Sequence, residues 1–343
     1  MKINKIINKS NPMIIAEIGQ AHDGSLGNAH KYVDELIKMG VDAIKFQIHF
    51  AEEESSFNDL FRTKFSQQDK TRFDYWKRIE FTPSQWKQLF EKCKKNNVLF
   101  LSSVFSNKAN EILKKNNSQI YKISSGEINN NLLLNKIIQN KKHIILSTGM
   151  SDYSEINKIY RKLKSQNVDF SLMHCTTKYP TPLKDIGLNV ISEFKKKYSV
   201  PIGFSDHSGN FLTSIAAISY NIDILEVHVT FDKRLFGPDT SSSVTIDELK
   251  EIIKFRNYFN DLNKFKINKD NLSKSLNSTK LLFNRSATAT RSLLKNTILK
   301  KDMIDFKKPG YGIKENEINK YIGKKISKKI KKNYQFKKNN FIK

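Results

Sequence analysis

Eight short apolar runs, separated by stretches with helical periodicity, constrain the fold of this chain more than any other feature. The runs are rich in β-branched residues and cover Met13–Ile18, Ala43–Gln47, Val98–Phe105, Ile120–Ser125, His143–Thr148, Phe170–Thr176, Pro201–His207 and Ile224–Thr230. Strands that alternate with helices form a parallel sheet, because each parallel connection needs a crossover. Eight such units within about 250 residues predict an α/β fold of the (β/α)8 TIM barrel type rather than an open sheet.

The chain of 343 residues is longer than such a barrel requires. We predict that the barrel covers residues 1–261 and that the polar segment 262–280 is a linker or a solvated helix. Residues 281–343 are predicted to form a small second domain with Gly- and Pro-rich turns and strands at Arg291–Leu293 and Ile304–Phe306. A domain of about 60 residues has a marginal core, so we expect it to dock on its own barrel or on a partner's.

The formal charge of +26 raises the question of a nucleic-acid partner. The excess is almost all lysine and is accompanied by many Asn and Ile residues. These three residue types have A/T-rich codons, so biased nucleotide composition is a sufficient cause. We therefore expect a solvated basic surface and no nucleic-acid partner.

The cysteines and the N-terminus predict a soluble, cytoplasmic protein. Cys93 and Cys175 cannot build a disulfide framework, which favours a reducing compartment. The N-terminal lysines are not followed by the apolar run of a signal peptide. No window approaches the roughly 18 apolar residues of a membrane span, so we expect no membrane partner.

Each predicted strand begins with apolar residues and ends with polar ones that can take part in chemistry. The C-terminal ends of barrel strands meet at one mouth, where such enzymes place their catalytic groups. The strand-end residues include Glu17, Lys45, Gln47, Ser102, Ser103, Ser125, Glu127, Ser147, Thr148, Thr176, Asp206, His207 and His228. Eight polar ends in succession are hard to explain by solubility alone.

Two histidines end the seventh and eighth predicted strands, His207 and His228. Neighbouring strand ends are close enough for both imidazoles to reach one ion, and two His ligands with open positions suit a catalytic Mn²⁺, Zn²⁺ or Fe²⁺. The alternative is that each ring is an ordinary hydrogen-bonding group at the mouth. Asp206 and Glu226 are candidates for orienting the two rings.

A set of cations and hydroxyls on several strand ends suits a bound phosphate or carboxylate. The set consists of Lys45, Lys122, Ser125, Ser147 and Ser205. The alternative is that both lysines belong to the basic surface, but each lies within an apolar strand, where an unpaired charge is costly. Glu17 and Glu127 are carboxylates for acid–base work, or for salt bridges to these lysines.

Ordered motifs along nearly the whole chain resemble the sialic acid synthase (N-acetylneuraminate synthase) family, which has legionaminic, pseudaminic and spore-coat relatives. The motifs are IIAEIGQAHDGSLGNA, DAIKFQ, FLSSVFS, YKISSGEINN, IILSTGMS, HCTTKYPTP, IGFSDHSG, EVHVTFDKRLFGPDTSSS and, near the C-terminus, RSLLKNTILKKDMI and KKPGYGI. The resemblance implies a (β/α)8 barrel followed by a C-terminal SAF domain (β-clip, antifreeze-like). It also implies a swapped homodimer, in which that domain caps the partner's site.

The resemblance further implies a reaction and its residues. The family condenses phosphoenolpyruvate with the open-chain aldehyde of an N-acyl mannosamine-type sugar and releases phosphate. By resemblance, His207 and His228 bind Mn²⁺ or Mg²⁺. Residue by residue, it assigns phosphoenolpyruvate to Lys45, Lys122, Ser125, Ser147 and Ser205, the sugar or the metal shell to Glu17, Gln47, Tyr179 and Asp239, and proton transfer to Glu127.

Three departures from the family pattern lie near the sugar end of the implied site. Thr177 replaces an Asn, Thr240 follows the GPD turn in place of a His, and Lys308 replaces an Arg that reaches the N-acyl group across the dimer. Lysine keeps that charge but loses the planar fork. The positions for the metal and for phosphoenolpyruvate are intact, so the departures leave the acceptor sugar open. The sequence also does not identify the physiological metal. Two alternatives also remain: a related phosphoenolpyruvate-dependent synthase using a phosphorylated aldose, and a non-catalytic barrel that binds sugar or nucleic acid.

Overall fold

The computed structural model describes residues 11–61 and 64–342, which form two compact units that divide after Lys264. In the first unit, eight parallel strands pair in chain order, and the first also pairs with the last, so the sheet closes. The strands are β1 Met13–Gly19, β2 Ala43–Ile48, β3 Leu99–Val104, β4 Ile120–Ile123, β5 His143–Ser147, β6 Phe170–His174, β7 Ile202–Asp206 and β8 Ile224–Thr230. The predicted TIM barrel is confirmed.

Helices surround the barrel and connect successive strands. They are α1 Leu26–Met39, α2 Ala51–Glu54, α3 Arg72–Ile79, α4 Pro83–Lys95, α5 Asn107–Lys115, α6 Asn131–Gln139, α7 Tyr153–Ser165, α8 Leu188–Lys197, α9 Phe211–Ser219 and α10 Ile246–Lys264, with a short strand β9 Val244–Thr245 before α10. Sequence sets their starts: the Thr82 hydroxyl accepts from the Gln85 N–H at the start of α4, with Pro83 in the first turn. Within the described ranges, no helix is both long enough and apolar enough to cross a membrane.

Alternation along the strands builds both the barrel core and its mouth. One apolar cluster fills the barrel interior and consists of Met13, Ile15, Ala43, Leu101, Ile120, Ile145, Met173 and Ile224. Successive side chains of a strand point to opposite faces, so the next inward position lies two residues further on. Ile15 is thus followed inward by Glu17, and Ile120 by Lys122. These polar inward positions therefore lie directly above the apolar cluster that fills the barrel interior.

The second unit has its own small core. Its elements are α11 Lys269–Ser275, α12 Asn277–Phe283, β10 Ser286–Ala289, β11 Ile304–Lys307 and α13 Glu315–Ile318. The pair β10–β11 is antiparallel. Much of segment 262–280 is therefore helical. The strand predicted at Arg291–Leu293 is wrong: Leu293 forms only an isolated bridge with Ile330, and the strand lies at Ser286–Ala289 instead.

Candidate active site

A cavity of about 680 Å³ opens at the C-terminal ends of the barrel strands. The barrel residues that the family resemblance places in the site line it: Glu17, Lys45, Gln47, Lys122, Ser125, Glu127, Ser147, Thr177, Tyr179, Ser205, His207, His228 and Asp239. Four other nominated strand-end residues do not line it: Ser102, Thr148, Thr176 and Asp206. Lys308 belongs to the second unit, where it is exposed and its ammonium lies 5.3 Å from the centre of the Phe283 ring. The strand-end pattern therefore locates the barrel's cavity from sequence.

His207 is held in one orientation by the backbone. Its Nδ1 lies 3.0 Å from the carbonyl oxygen of Thr176, which can only accept, so Nδ1 carries the proton and Nε2 carries a lone pair. Nε2 faces the Tyr179 hydroxyl and the Ser205 hydroxyl, each at 3.3 Å. Burial, together with the nearby ring of His228, lowers the pKa of His207 to about 3. The neutral ring is the form that binds a metal.

His228 completes a pair of imidazoles at the mouth. The centres of its ring and the His207 ring lie 5.5 Å apart, and its Nδ1 lies 4.0 Å from a carboxylate oxygen of Asp239. The described residues contain no group of three or more His, Cys, Asp or Glu side chains suited to hold a metal. The two imidazoles are the groups at this mouth that could hold an ion. Asp206 does not orient the rings as predicted, because it accepts from Ser214 Oγ and Ser208 N.

Lys45 and Lys122 are both buried at the base of the cavity. Lys122 Nζ donates to Glu226 Oε1 at 2.6 Å, and Lys45 Nζ lies 3.5 Å from the same oxygen. Lys45 also pairs with Glu17 and donates to Ser103 Oγ at 3.1 Å. These lysines are not part of the basic surface. They are fixed cations, each held by carboxylates at the cavity floor.

The buried charges shift one another's pKa values. Burial lowers the pKa of Lys122 against the pull of the Glu226 carboxylate. The pKa of Lys45 is raised, because the Glu17 and Glu226 carboxylates outweigh the effect of burial. The two ammonium groups hold the pKa of Glu226 far below its usual range, although burial acts in the opposite direction. We therefore treat Glu226 as a carboxylate between two cations.

The adjoining wall contains the Ser125 hydroxyl and the backbone of Gly149, which pack closely together. Ser125 Oγ accepts from the Gly149 N–H at 2.9 Å and lies 3.5 Å from Cys175 Sγ. A Cβ added at Gly149 would lie 2.5 Å from Thr177 Oγ1 and 2.7 Å from that sulfur, so only glycine fits there. Cys175 is buried, as predicted. The Ser125 hydroxyl is thus held in the wall of the cavity.

Glu127 follows β4 in a short 3₁₀ turn and is half-buried in the cavity wall. One of its oxygens accepts from Asn130 Nδ2 at 2.8 Å. Burial, and to a lesser degree the Glu54 carboxylate, raise the pKa of Glu127. A carboxyl group whose pKa lies closer to neutrality is well suited to exchange protons with a reacting water or substrate.

Part of the cavity wall was not predicted. The His49 ring is stacked between Trp76 and Phe105, with ring centres 4.6 and 4.5 Å away, and its Nδ1 lies 2.7 Å from a Glu54 oxygen. Gln20 Nε2 approaches His49 Nε2 at 3.1 Å. Gln20 and His49 directly follow β1 and β2, so the strand-end rule could have found them. Glu54 and Trp76 lie on α2 and α3, where no sequence signal marks them.

Comparison with known proteins places the chain in a family. The NeuB family profile matches residues 32–265. The chain belongs to the NeuB family. Two relatives from Campylobacter jejuni are the N,N'-diacetyllegionaminic acid synthase, 31% identical over 93% of this chain and 97% of the relative, and a pseudaminic acid synthase, 31% identical over 96% of each.

A solved structure supports the same assignment. The crystal structure of N-acetylneuraminic acid synthetase from Leptospira borgpetersenii matches with a TM-score of 0.69 and 28% sequence identity. The match covers 79% of this chain and 93% of that one. This NeuB-family chain therefore shares both sequence and barrel with proteins named as synthases of sugar acids.

Proposed function

We propose that this NeuB-family chain condenses phosphoenolpyruvate with the open-chain aldehyde of an N-acyl mannosamine-type sugar. The products are a nonulosonic (sialic-type) acid and phosphate, for surface polysaccharide or glycan biosynthesis. Family membership and the relatives' names support a sugar-acid synthase, and hence an enzyme of sugar biosynthesis. The observation that supports both substrates is a single cavity lined by two buried lysines and two histidines.

The lower half of the cavity suits the two anionic groups of phosphoenolpyruvate. Lys45 and Lys122 supply positive charge, and Ser125, Ser147 and Ser205 supply directed hydrogen bonds. Both lysines are held on strands rather than on loops. We propose that this preorganised set fixes the phosphate and carboxylate, leaving C3 of the enol free to face the sugar.

The upper half suits the aldehyde and a divalent ion, Mn²⁺ or Mg²⁺. The donor set fits such an ion: the Thr176 carbonyl fixes the proton of His207 on Nδ1, and His228 lies beside the Asp239 carboxylate. At this position His207 and His228 would hold the ion, which would supply Lewis-acid polarisation of the aldehyde oxygen. We assign Glu17, Gln47, Thr177, Tyr179 and Asp239 to the sugar and to the surroundings of the ion.

The reaction balances with these groups. C3 of phosphoenolpyruvate forms the new bond to the aldehyde carbon, and C2, left electron-poor, takes up a water. Glu127 accepts that water's proton. The C2 hydroxyl then loses its remaining proton, and the bond between C2 and the bridging oxygen breaks with its electron pair on phosphate, which Lys45 and Lys122 stabilise, so C2 becomes the ketone. Of the two protons of the water, one ends on the former aldehyde oxygen, which becomes a hydroxyl, and the other on the departing phosphate.

Removal of the Glu127 carboxylate tests its role through the pH profile. The raised pKa means that the base form is lost as pH falls through that value, so the wild-type rate should decline on the acid side. Glu127→Gln should lower kcat by about a hundredfold or more and remove that acidic limb. Initial rates between pH 5 and 9 measure both. An unchanged acidic limb in the variant would assign the titration to another group.

We propose that the second unit is the SAF domain and that it serves the partner's site in a swapped homodimer. The unit has its own core yet exposes large apolar side chains, including Leu294 (67%) and Tyr334 (59%), which supports a docking role. Lys308 is exposed, and we propose that its ammonium reaches the sugar's N-acyl group across the dimer.

Mixed dimers test this arrangement. Lys308→Ala should raise the KM for the sugar about tenfold and leave the KM for phosphoenolpyruvate unchanged. At sugar concentrations well below the KM of Lys308→Ala, refolding this variant together with inactive His207→Ala should raise the rate above that of either variant alone, because one of the two sites then has both intact halves. No gain over the separate variants, with heterodimers shown by mass spectrometry, would contradict the swap.

An acceptor panel tests the proposed function. The protein, phosphoenolpyruvate and Mn²⁺ are incubated with N-acetylmannosamine, with a diacetamido trideoxy relative, and with phosphorylated aldoses of four and five carbons. We expect sugar-dependent phosphate release with an N-acyl sugar and none with the phosphorylated aldoses. Turnover of a phosphorylated aldose alone would favour the alternative synthase, and silence with a folded protein would contradict both.

A further inference from the structure

Glu226 places one carboxylate oxygen against both lysines of the cavity floor. Its Oε1 lies 2.6 Å from Lys122 Nζ and 3.5 Å from Lys45 Nζ, and it accepts from Ser205 Oγ at 2.9 Å. The other oxygen is buried and has no hydrogen-bond partner. The sequence nominated Glu226 only as an orienter of the histidines, whereas its contacts are with the cations.

The formal charges of this cluster cancel. Lys45 and Lys122 contribute two positive charges, and Glu17 and Glu226 contribute two negative ones, all within the barrel. Two bare ammonium groups at the base of a small cavity would attract an inorganic anion strongly, because the effective dielectric constant there is well below that of water. A carboxylate shared between them reduces that attraction and keeps both ammonium groups in place.

We infer that Glu226 is a positioning residue of the anion site, which holds the two lysines apart and offsets their charge so that phosphate can leave. The identity of the anion rests on the proposed function. The carboxylate competes with the incoming anion for the same donors. Binding therefore becomes weaker than the lysines alone would give, and release of phosphate becomes correspondingly faster.

The inference makes a prediction that a purely structural role does not. Glu226→Gln keeps the shape and can still accept from Lys122 and Ser205, but it removes one negative charge a few ångströms from the anion. At an effective dielectric constant of about 20, that charge is sufficient for at least a tenfold change in affinity. A damaged site would bind phosphate more weakly, whereas our inference predicts tighter binding and a lower kcat.

Isothermal titration with inorganic phosphate measures this affinity without any sugar. Glu226→Gln should bind phosphate about tenfold more tightly than the wild type, and Glu226→Asp, which keeps the charge, should stay closer to the wild type. Glu54→Gln is the matched control. Glu54 lines the same cavity but contacts His49 and the Phe50 N–H, so its loss should change the phosphate affinity by less than about twofold.

Unchanged or weaker phosphate binding by folded Glu226→Gln would overturn the inference. If Glu226→Gln does not fold, Glu226→Ser replaces it, because the smaller side chain leaves room for a water beside Lys122. This variant should also bind phosphate more tightly than the wild type. Because the titration needs no acceptor, its outcome is independent of the acceptor panel. If no sugar in the acceptor panel is turned over but Glu226→Gln binds phosphate more tightly, the proposed reaction is contradicted. The anion site and the role of Glu226 would still stand.

Discussion

Replacing either His207 or His228 by alanine should lower kcat roughly a thousandfold, on the order of 4 kcal/mol of transition-state stabilisation, while the barrel remains folded. Both rings line the cavity, and Nε2 of His207 presents its lone pair beside Tyr179 and Ser205. We therefore propose that each ring supplies a ligand position rather than packing. The loss should appear at saturating concentrations of both substrates and should not be recovered by a large excess of Mn²⁺.

Two further measurements make this prediction specific. Electron paramagnetic resonance of added Mn²⁺ should show a bound ion with the wild type and a greatly weakened one with either variant. His30→Ala is the control, because His30 lies on α1 outside the cavity lining. Full activity and unaltered Mn²⁺ binding in His207→Ala would show that the imidazole pair is not the metal site.

Lys122→Met should have the second large effect, on both catalysis and stability. The variant loses one of two cations for phosphoenolpyruvate, so kcat/KM for that substrate should fall by roughly a thousandfold. The buried Glu226 carboxylate also loses one of the two ammonium groups that offset its charge. This loss should lower the free energy of unfolding by about 3 kcal/mol. Denaturant unfolding and initial rates measure the two losses separately.

The double variant Lys122→Met with Glu226→Gln separates the two effects. Removing both partners of a buried pair costs far less stability than removing one, so much of the lost unfolding free energy should return while activity does not. Lys178→Met is the control, since Lys178 forms an exposed pair with Asp185. A single variant that keeps its KM for phosphoenolpyruvate would show that Lys122 does not contact that substrate.

The barrel and its mouth are predictable because both depend on local periodicity. Apolar runs of the right length mark the strands, and the two-residue alternation decides which side chains face inward, as for Ile120 and Lys122. Alternation does not decide which side chains meet across the barrel. Lys122 and Glu226 are 104 residues apart in the chain, and only the closed sheet brings them together.

Two other features were beyond the reach of sequence patterns for different reasons. Glu54 and Trp76 enter the cavity from helices between β2 and β3, and a surface helix gives no sign that one of its faces meets an active site. In the second unit, the strands are short and lack clean alternation. Without clean alternation, sequence cannot distinguish a short strand from an extended loop. Arg291–Leu293 is therefore predicted as a strand, although only Leu293 forms a bridge.

The overall charge of the chain says little about the site. The formal charge is +26, yet the lysines of the cavity floor are matched by carboxylates. Many of the remaining lysines stand in the last turns of helices, including Lys94 and Lys95 of α4 and Lys195, Lys196 and Lys197 of α8. Cations are favoured there by the helix dipole. The formal charge of the whole chain therefore does not describe the site, where lysines and carboxylates balance.

Formation of the carbon–carbon bond is the central claim, and phosphoenolpyruvate labelled with carbon-13 at C3 tests it most directly. Carbon-13 NMR of the reaction with the accepted N-acyl sugar should show the label as a methylene bonded to the former aldehyde carbon, in an amount equal to the phosphate released. A label that remains in phosphoenolpyruvate, or that appears as the methyl group of pyruvate while phosphate is released, would contradict the account.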